Sequence, residues 1–234
     1  MIAPRLLKLS GEALGAADGI FDHAEVDRVC VELVQGARHQ PVAVVVGGGN
    51  ILRGAMVKGM YSDPTRGDYM GMLATLMNGL ALKDGIIRAG GAAVVVGPNH
   101  IPNVSVQYDR DQVMGALAKG TIVIFGGGTG HPFFTTDTTA ALRAAEIGAG
   151  ELLKGSKVDG IYTADPKKDP TATRFAHLTY DQAIEGRYGV MDAAAFSLCR
   201  DQGVRIRVFD MTRPGTILAA LGANPPGTVV GQPA

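Results

Sequence analysis

The chain has no excess of charge of either sign. Its 234 residues carry 22 Lys and Arg against 22 Asp and Glu, so it lacks the basic field on which non-specific nucleic-acid binding rests. It lacks any apolar run near the roughly 20 residues of a membrane span, so no membrane partner is expected. Met1-Ile2-Ala3-Pro4-Arg5 runs straight into a strand pattern, with neither the apolar core nor the cleavage site of a signal peptide. Cysteine is scarce: Cys30 and Cys199 stand alone, outside any C-x-x-C pair, and read as buried small hydrophobes. These absences fit a cytoplasmic protein. No H-E-x-x-H, paired-histidine or Cys/His cluster marks a protein-held transition metal. Both common nucleotide fingerprints are missing too. There is no G-x-x-x-x-G-K-[ST], and Gly47-Gly48-Gly49 fails G-x-G-x-x-G because position 52 is Leu52.

Glycine, by contrast, is abundant: its 33 residues gather into a few runs that mark tight loops. Between them, short apolar stretches alternate with longer amphipathic ones. Residues 5–9, 42–46, 92–96, 121–125, 151–154 and 205–209 read as strands. Residues 25–37, 68–88, 109–119, 136–147 and 192–202 read as helices, with another after Pro214 and a last short strand after the turn at 224–227. Val26, Val29, Leu33 and Val34 make one face of the first helix. Met70, Leu73, Met77 and Leu80 make the stripe of the second, the kind that faces a core. The repeated strand-then-helix order predicts an α/β fold, a mostly parallel sheet with helices on both faces. One domain over 1–234 accounts for the length.

Ligands of open α/β sheets sit beyond the carboxyl ends of the strands. Three glycine clusters fall there, at 10–11, 47–49 and 126–130, which points to a phosphate-bearing ligand. Lys8-Leu9-Ser10-Gly11 ends the first strand. It offers a point charge and backbone N–H groups for an anion, against the bland alternative of a snorkelling surface lysine. After Gly47-Gly48-Gly49-Asn50, Arg53 could clamp phosphate oxygens bidentately, or simply cover a strand-to-helix turn. The densest signal is the run from Gly126 to Asp137, which joins backbone donors, three threonine hydroxyls and a carboxylate. Thr135 or Thr136 also suits a helix cap, and Asp137 suits a helix N-terminus. Downstream, Tyr162 could face a base and Asp165 could orient a lysine or a ribose, in a loop that otherwise reads as polar and Pro-terminated. His131 is the one histidine inside a motif.

Taken together, the motifs resemble the bacterial UMP kinases of the amino-acid kinase superfamily. They are K-L-S-G-E-A-L at 8–14, G-G-G-N-x-x-R-G at 47–54, D-x-M-G-M-L-A-T-x-M-N at 68–78, G-T-G-x-P-F-F-T-T-D at 128–137 and K-V-D-G-x-x-T-A-D-P-x-x-D-P-x-A at 157–172. The closing stretch Ile206-Arg207-Val208-Phe209 and Pro214-Gly215 is similar as well, so the likeness spans nearly the whole chain. It implies a three-layer α/β/α sandwich in a homohexamer, with an N-terminal lobe for UMP and a C-terminal lobe from about 146 for ATP. It implies ATP near Lys8, Leu9, Ser10, Gly11, Gly49, Arg53, Ser156, Tyr162 and Asp165. It implies UMP near Gly48, Asp68, Thr129, Gly130, His131, Pro132, Phe133, Phe134, Thr135 and Thr136. Asp68 would take the ribose, and its helix would make a dimer contact. Mg²⁺ would ride mainly on ATP phosphates and water, and GTP and UTP would act as effectors.

The catalytic set expected on this footing is Lys8, Arg53, Asp137 and Asp165. Lys8 and the glycine N–H groups would hold the transferring group, Arg53 would neutralise phosphate charge, and Asp137 and Asp165 would hold Lys8. Two departures stand out. His131 replaces the family's Asn beside the uracil, and the segment 15–22, tied to GTP activation, is shortened. A kinase of amino acids or carbamate, and a non-catalytic nucleotide-binding or storage protein, are the alternatives on the same fold. A dinucleotide-dependent oxidoreductase is disfavoured by the missing fingerprint.

Overall fold

Unbroken β-branched runs become strands buried on both faces. In the computed structural model, which describes residues 2–52, 59–186 and 188–231, β1 (Arg5–Leu9) and β2 (Val42–Val46) lie at the centre of a nine-stranded sheet. The other strands are β3 (Ala93–Gly97), β4 (Val106–Gln107), β5 (Ile122–Phe125), β6 (Glu151–Ser156), β7 (His177–Leu178), β8 (Arg205–Asp210) and β9 (Thr228–Val230). Their order is β4-β3-β5-β2-β1-β6-β8-β9-β7, parallel at every pairing except β8 with β9. The chain therefore winds outward from β1 on one side and returns to its other edge with β6. That reversal is a topological switch point, where α/β sheets open a ligand crevice.

Side-chain alternation sends successive strand residues into two cores. Leu6, Val45 and Leu152 pack under α3 (Arg110–Ala118), α4 (Thr136–Glu146), α5 (Tyr180–Glu185) and α6 (Ala193–Asp201). Leu7, Val44 and Leu153 pack under α1 (His23–Ala37), α2 (Thr65–Arg88) and α7 (Thr216–Leu221). The result is the expected three-layer α/β/α sandwich. Caps set the helix starts: Asp22, Asp109, Thr135 and Asp192 each accept from the first turn of the helix that follows. Among the described residues, no helix is long and apolar enough to cross a membrane.

The stripe expected on α2 faces the wrong way. Met70, Leu73 and Met77 are 39%, 57% and 47% exposed, and only Leu80 packs partly against the core. The buried face instead carries Ala74, Thr75, Asn78, Gly79 and Gly85, with Leu76, Leu82 and Ile86. Close approach is the reason. A Cβ at Gly85 would lie 2.6 Å from Cys30 Sγ, and one at Gly79 would lie 3.3 Å from Val95 Cγ1. Small residues interspersed among Leu76, Leu82 and Ile86 let the helix settle onto its neighbours, and Met70, Leu73 and Met77 are left outside.

At the end of the sheet opposite the crevice, buried Glu151 takes Arg5 at 2.8 Å and Arg207 at 3.0 Å. Removing the carboxylate strands two guanidinium groups. Glu151→Ala should therefore cost about 3–5 kcal/mol in a urea melt, with the folded fraction's turnover unchanged.

Candidate active site

The crevice forms where the loops after β1 and β2 are pressed together. A Cβ on Gly11 would stand 2.6 Å from Gly47 O and 2.7 Å from Gly49 N, contacts that only a hydrogen permits. Lys8, Leu9, Ser10, Gly11, Gly48 and Gly49 are thus brought to one place, as the motifs lead one to expect.

Register builds the charged centre. Lys8 and Lys154 are direct partners across the parallel β1–β6 pair, so their side chains leave the sheet side by side. Both meet Asp137, the second residue of α4. Lys8 Nζ lies 2.8 Å from Asp137 Oδ1, and Lys154 Nζ contacts the same oxygen. The three side chains are only 9%, 12% and 15% exposed, so these charges act through a poorly screened medium. Burial works to raise the Asp137 pKa, but Lys8 and Lys154 outweigh it and hold the carboxyl below its ordinary range. Burial, with Lys8 alongside, pushes the Lys154 ammonium down to about 8 against the pull of Asp137. With both lysines protonated the clasp carries one net positive charge, suited to a polyphosphate.

Beside the clasp, Gly48, Gly49, Asp68, Phe134, Thr135 and Thr136 line a cavity of about 160 Å³. Its rim is the loop after β5. Gly127, Gly128 and Gly130 all take positive φ there, as does Phe133 at 71°. Phe133 gives its N–H to Asp68 at 2.8 Å and leaves its ring in solvent. Thr129 is engaged locally, its hydroxyl taking the His131 N–H at 3.2 Å, and the His131 ring is exposed. Pro132 follows on the same rim. Thr135 caps α4, accepting from the Asp137 and Thr138 N–H groups, and donates its own proton to Asp192.

The expected C-terminal site residues make local contacts. Ser156 ends β6 and accepts from Met211 N–H at 3.0 Å. Tyr162 donates to Asp159 at 2.6 Å. Asp165 does not clasp Lys8: it accepts from Lys167 N–H at 3.0 Å and lies 3.9 Å from Lys168 Nζ. Asp137 alone of the two carboxylates contacts Lys8, and it contacts Lys154 as well. Arg53 lies outside the described residues.

Sequence reasoning passed over Lys154 as a site residue. The signal was available, since it is the one cation in a strand that runs parallel to the one carrying Lys8. Asp192 was missed because its link to Thr135 and Thr138 spans more than 50 positions. Among the described residues, no group of three or more His, Cys, Asp or Glu could hold a metal ion, and the Asp137 carboxylate is committed to two lysines. The donor set suits a divalent cation carried in on nucleotide phosphates rather than one caged by side chains.

Comparison with known proteins agrees with this geometry. The amino acid kinase family model matches residues 4–210. A uridylate kinase of Bradyrhizobium diazoefficiens is 53% identical over 228 residues, covering 96% of this chain and 95% of its own. Two crystal structures superpose closely. The UMP kinase of Ureaplasma parvum has a TM-score of 0.93 at 33% identity, covering 98% of this chain and 99% of its own. The UMP kinase of Bacillus anthracis has a TM-score of 0.94 at 32% identity, covering 99% and 97%. With its sheet order, its lysine clasp and these relatives, the chain belongs to the amino acid kinase family, among the uridylate kinases.

Proposed function

We propose that the protein is a UMP kinase, transferring the γ-phosphoryl group of ATP to UMP to give UDP and ADP. The observation that carries this is the Lys8–Asp137–Lys154 clasp, set beside the glycine loops and a cavity lined by Gly48, Asp68 and Thr135. A UMP phosphate oxygen attacks the γ-phosphorus as the bond to the β–γ bridging oxygen breaks, and ADP leaves with the electron pair. The acceptor has a second pKa of about 6 and is already a dianion at neutral pH, so no general base is required. The obstacle is repulsion between two polyanions. Lys8 and Lys154 hold positive charge against the transferring group, and Asp137 fixes where they point. Mg²⁺, which would be held by ATP phosphates and water, would supply the remaining charge neutralisation.

On this reading ATP lies along Lys8–Gly11, Gly49, Arg53, Ser156, Tyr162 and Asp165, against the lobe from about 146. UMP fills the cavity of Gly48, Asp68 and the loop 129–136. Asp165 would act on the nucleotide and not on Lys8. The exposed apolar face of α2 supports a subunit contact; a homohexamer with GTP and UTP as effectors is carried over from the family resemblance alone. A cytoplasmic location follows from nucleotide substrates and two buried, unpaired cysteines.

Lys154 gives a pH signature. Its ammonium titrates near 8 in the free enzyme, so kcat/KM for UMP should fall about tenfold per pH unit above that value. Lys154→Arg should move this alkaline limb beyond pH 10, because a guanidinium stays charged there. A pH–rate series on both proteins checks it.

The function itself is tested by ADP release with Mg-ATP and UMP, CMP, dUMP or aspartate in turn. Turnover with UMP and little with the others is expected, because polar groups built for the uracil edge are left unmet by CMP. Turnover with aspartate would favour an amino-acid kinase. ATP binding without any turnover would favour a storage role.

A further inference from the structure

α2 makes a set of contacts that no step of the transfer requires. Thr75, only 3% exposed, accepts the Gly127 N–H on its hydroxyl at 2.7 Å and donates its own proton to the Met72 carbonyl at 2.7 Å. The helix backbone thereby fixes which way the hydroxyl points. Asn78, fully buried, donates from Nδ2 to the Gly47 carbonyl at 2.6 Å. It also exchanges amide hydrogen bonds with Asn50 at 2.7 and 3.1 Å, and Asn50 reaches on to the Ile20 carbonyl at 2.9 Å. Gly48 is pressed on the same helix face: a Cβ there would lie 2.9 Å from Ala74 Cβ and 3.0 Å from the Gly71 carbonyl.

Gly47 and Gly127 belong to different loops, one following β2 and the other following β5. Their backbones are nevertheless bonded to side chains three residues apart on one helix, about 4.5 Å along its axis. Each of these bonds is buried, so breaking one leaves an N–H or a carbonyl unmet. The alternative to keeping the bond is to let the loop move.

We propose that Thr75 and Asn78 are positioning residues for phosphoryl transfer. Acting through the Gly127 N–H and the Gly47 carbonyl, they set the spacing between the glycine loop after β2, which serves both nucleotides, and the loop after β5, which borders the acceptor's cavity. The proposal rests on the reading of the site as a UMP kinase. Aligning two phosphates needs sub-ångström placement, and a 1 Å error far from the reacting atoms can cost about a hundredfold. Asn78 has no exposed surface to offer a substrate, and although Thr75 borders the acceptor's cavity its hydroxyl is committed twice, so both act through the backbone they hold.

The test compares Thr75→Val, which keeps the shape and loses the hydroxyl, with Thr75→Ser, which keeps the hydroxyl. Two readouts are taken well below the melting temperature: kcat with UMP and Mg-ATP, and amide hydrogen exchange of residues 47–50 and 126–130 in the protein without nucleotide. Thr75→Val should lower kcat by about tenfold or more and speed exchange at Gly127 and its neighbours, and Thr75→Ser should restore both. Loss of packing alone would lower the melting temperature of Thr75→Val without changing kcat or loop exchange, and that result overturns the proposal. Equal impairment of Val and Ser overturns it as well. If Thr75→Val does not fold, Asn78→Ser is read in the same way at 47–50. Absence of UMP turnover in the unaltered protein would refute the kinase reading alone, because loop exchange still judges the positioning.

Discussion

Lys8→Ala should leave the protein folded and lower kcat by about 100- to 1,000-fold, the scale seen when one preorganised charge donor is removed from a transition state. The fold survives because the truncation does not strand a charge. Asp137 keeps Lys154, and a buried triad with a surplus cation becomes a balanced pair. Lys154 loses the repulsion that helps depress it, so its ammonium should titrate above 8, and the alkaline limb of the rate profile should shift upward. The two effects come from one substitution and are read separately, the first by steady-state turnover and the second by the pH series. A fall in kcat of less than about tenfold, or 1.4 kcal/mol, would remove Lys8 from the centre of the mechanism.

Asp137→Asn should be the more damaging change in stability, with a comparable loss of rate. The amide keeps the shape and loses the charge, leaving two buried ammonium groups side by side. Breaking such a pair costs about 3–5 kcal/mol unless one group gives up its proton. Lys154, already weakened as a base, is the one to do so. The variant should melt lower than the parent at pH 7 and lose about a hundredfold or more in kcat, since one lysine is neutral and neither is aimed. The acid side carries its own sign. The Asp137 pKa is depressed in the folded state, so its share of stability is present above the unfolded value of 3.8 and lost as pH falls through the folded one. Asp137→Asn should flatten that part of the stability profile. Melting temperatures of both proteins between pH 2 and 7 measure it, and parallel curves would count against the clasp.

Much of the scaffold was legible from periodicity alone. β1 and β2 begin and end where their apolar runs do, and the glycine clusters fall at the carboxyl ends of the strands that carry them. β4 and β7 were not legible, because two residues carry no periodicity. α5 was overlooked although Thr179 and Gln182 spell a capping box. The α2 stripe misled because it assumes that the largest apolar residues face inward. Here the inner face must clear glycine loops and strand side chains, so it is built from Gly, Ala, Thr and Asn. The motifs named Lys8, Gly11, Gly48, Asp68 and Asp137, and the fold draws these toward one crevice. Lys154 and Asp192, joined to them only by sheet register or helix packing, went unnamed, and Thr75 and Asn78, though inside the motif at 68–78, carried no stated role. The family resemblance supplied roles for many of the residues the motifs named. Strand pairing revealed the clasp partner.

The central position of β1 also dictates an order of assembly. Arg5 pairs with Val42 on one edge and with Glu151 on the other. During synthesis the first edge can close once β2 has emerged, whereas the second must wait for β6. Until then a strand destined for the middle of the sheet behaves as an exposed edge, a template for pairing with other chains. The long closure that brings β6 home is the slow, non-local kind of contact. Lys8 therefore meets Lys154 late, and the crevice is completed only when most of the polypeptide has been made.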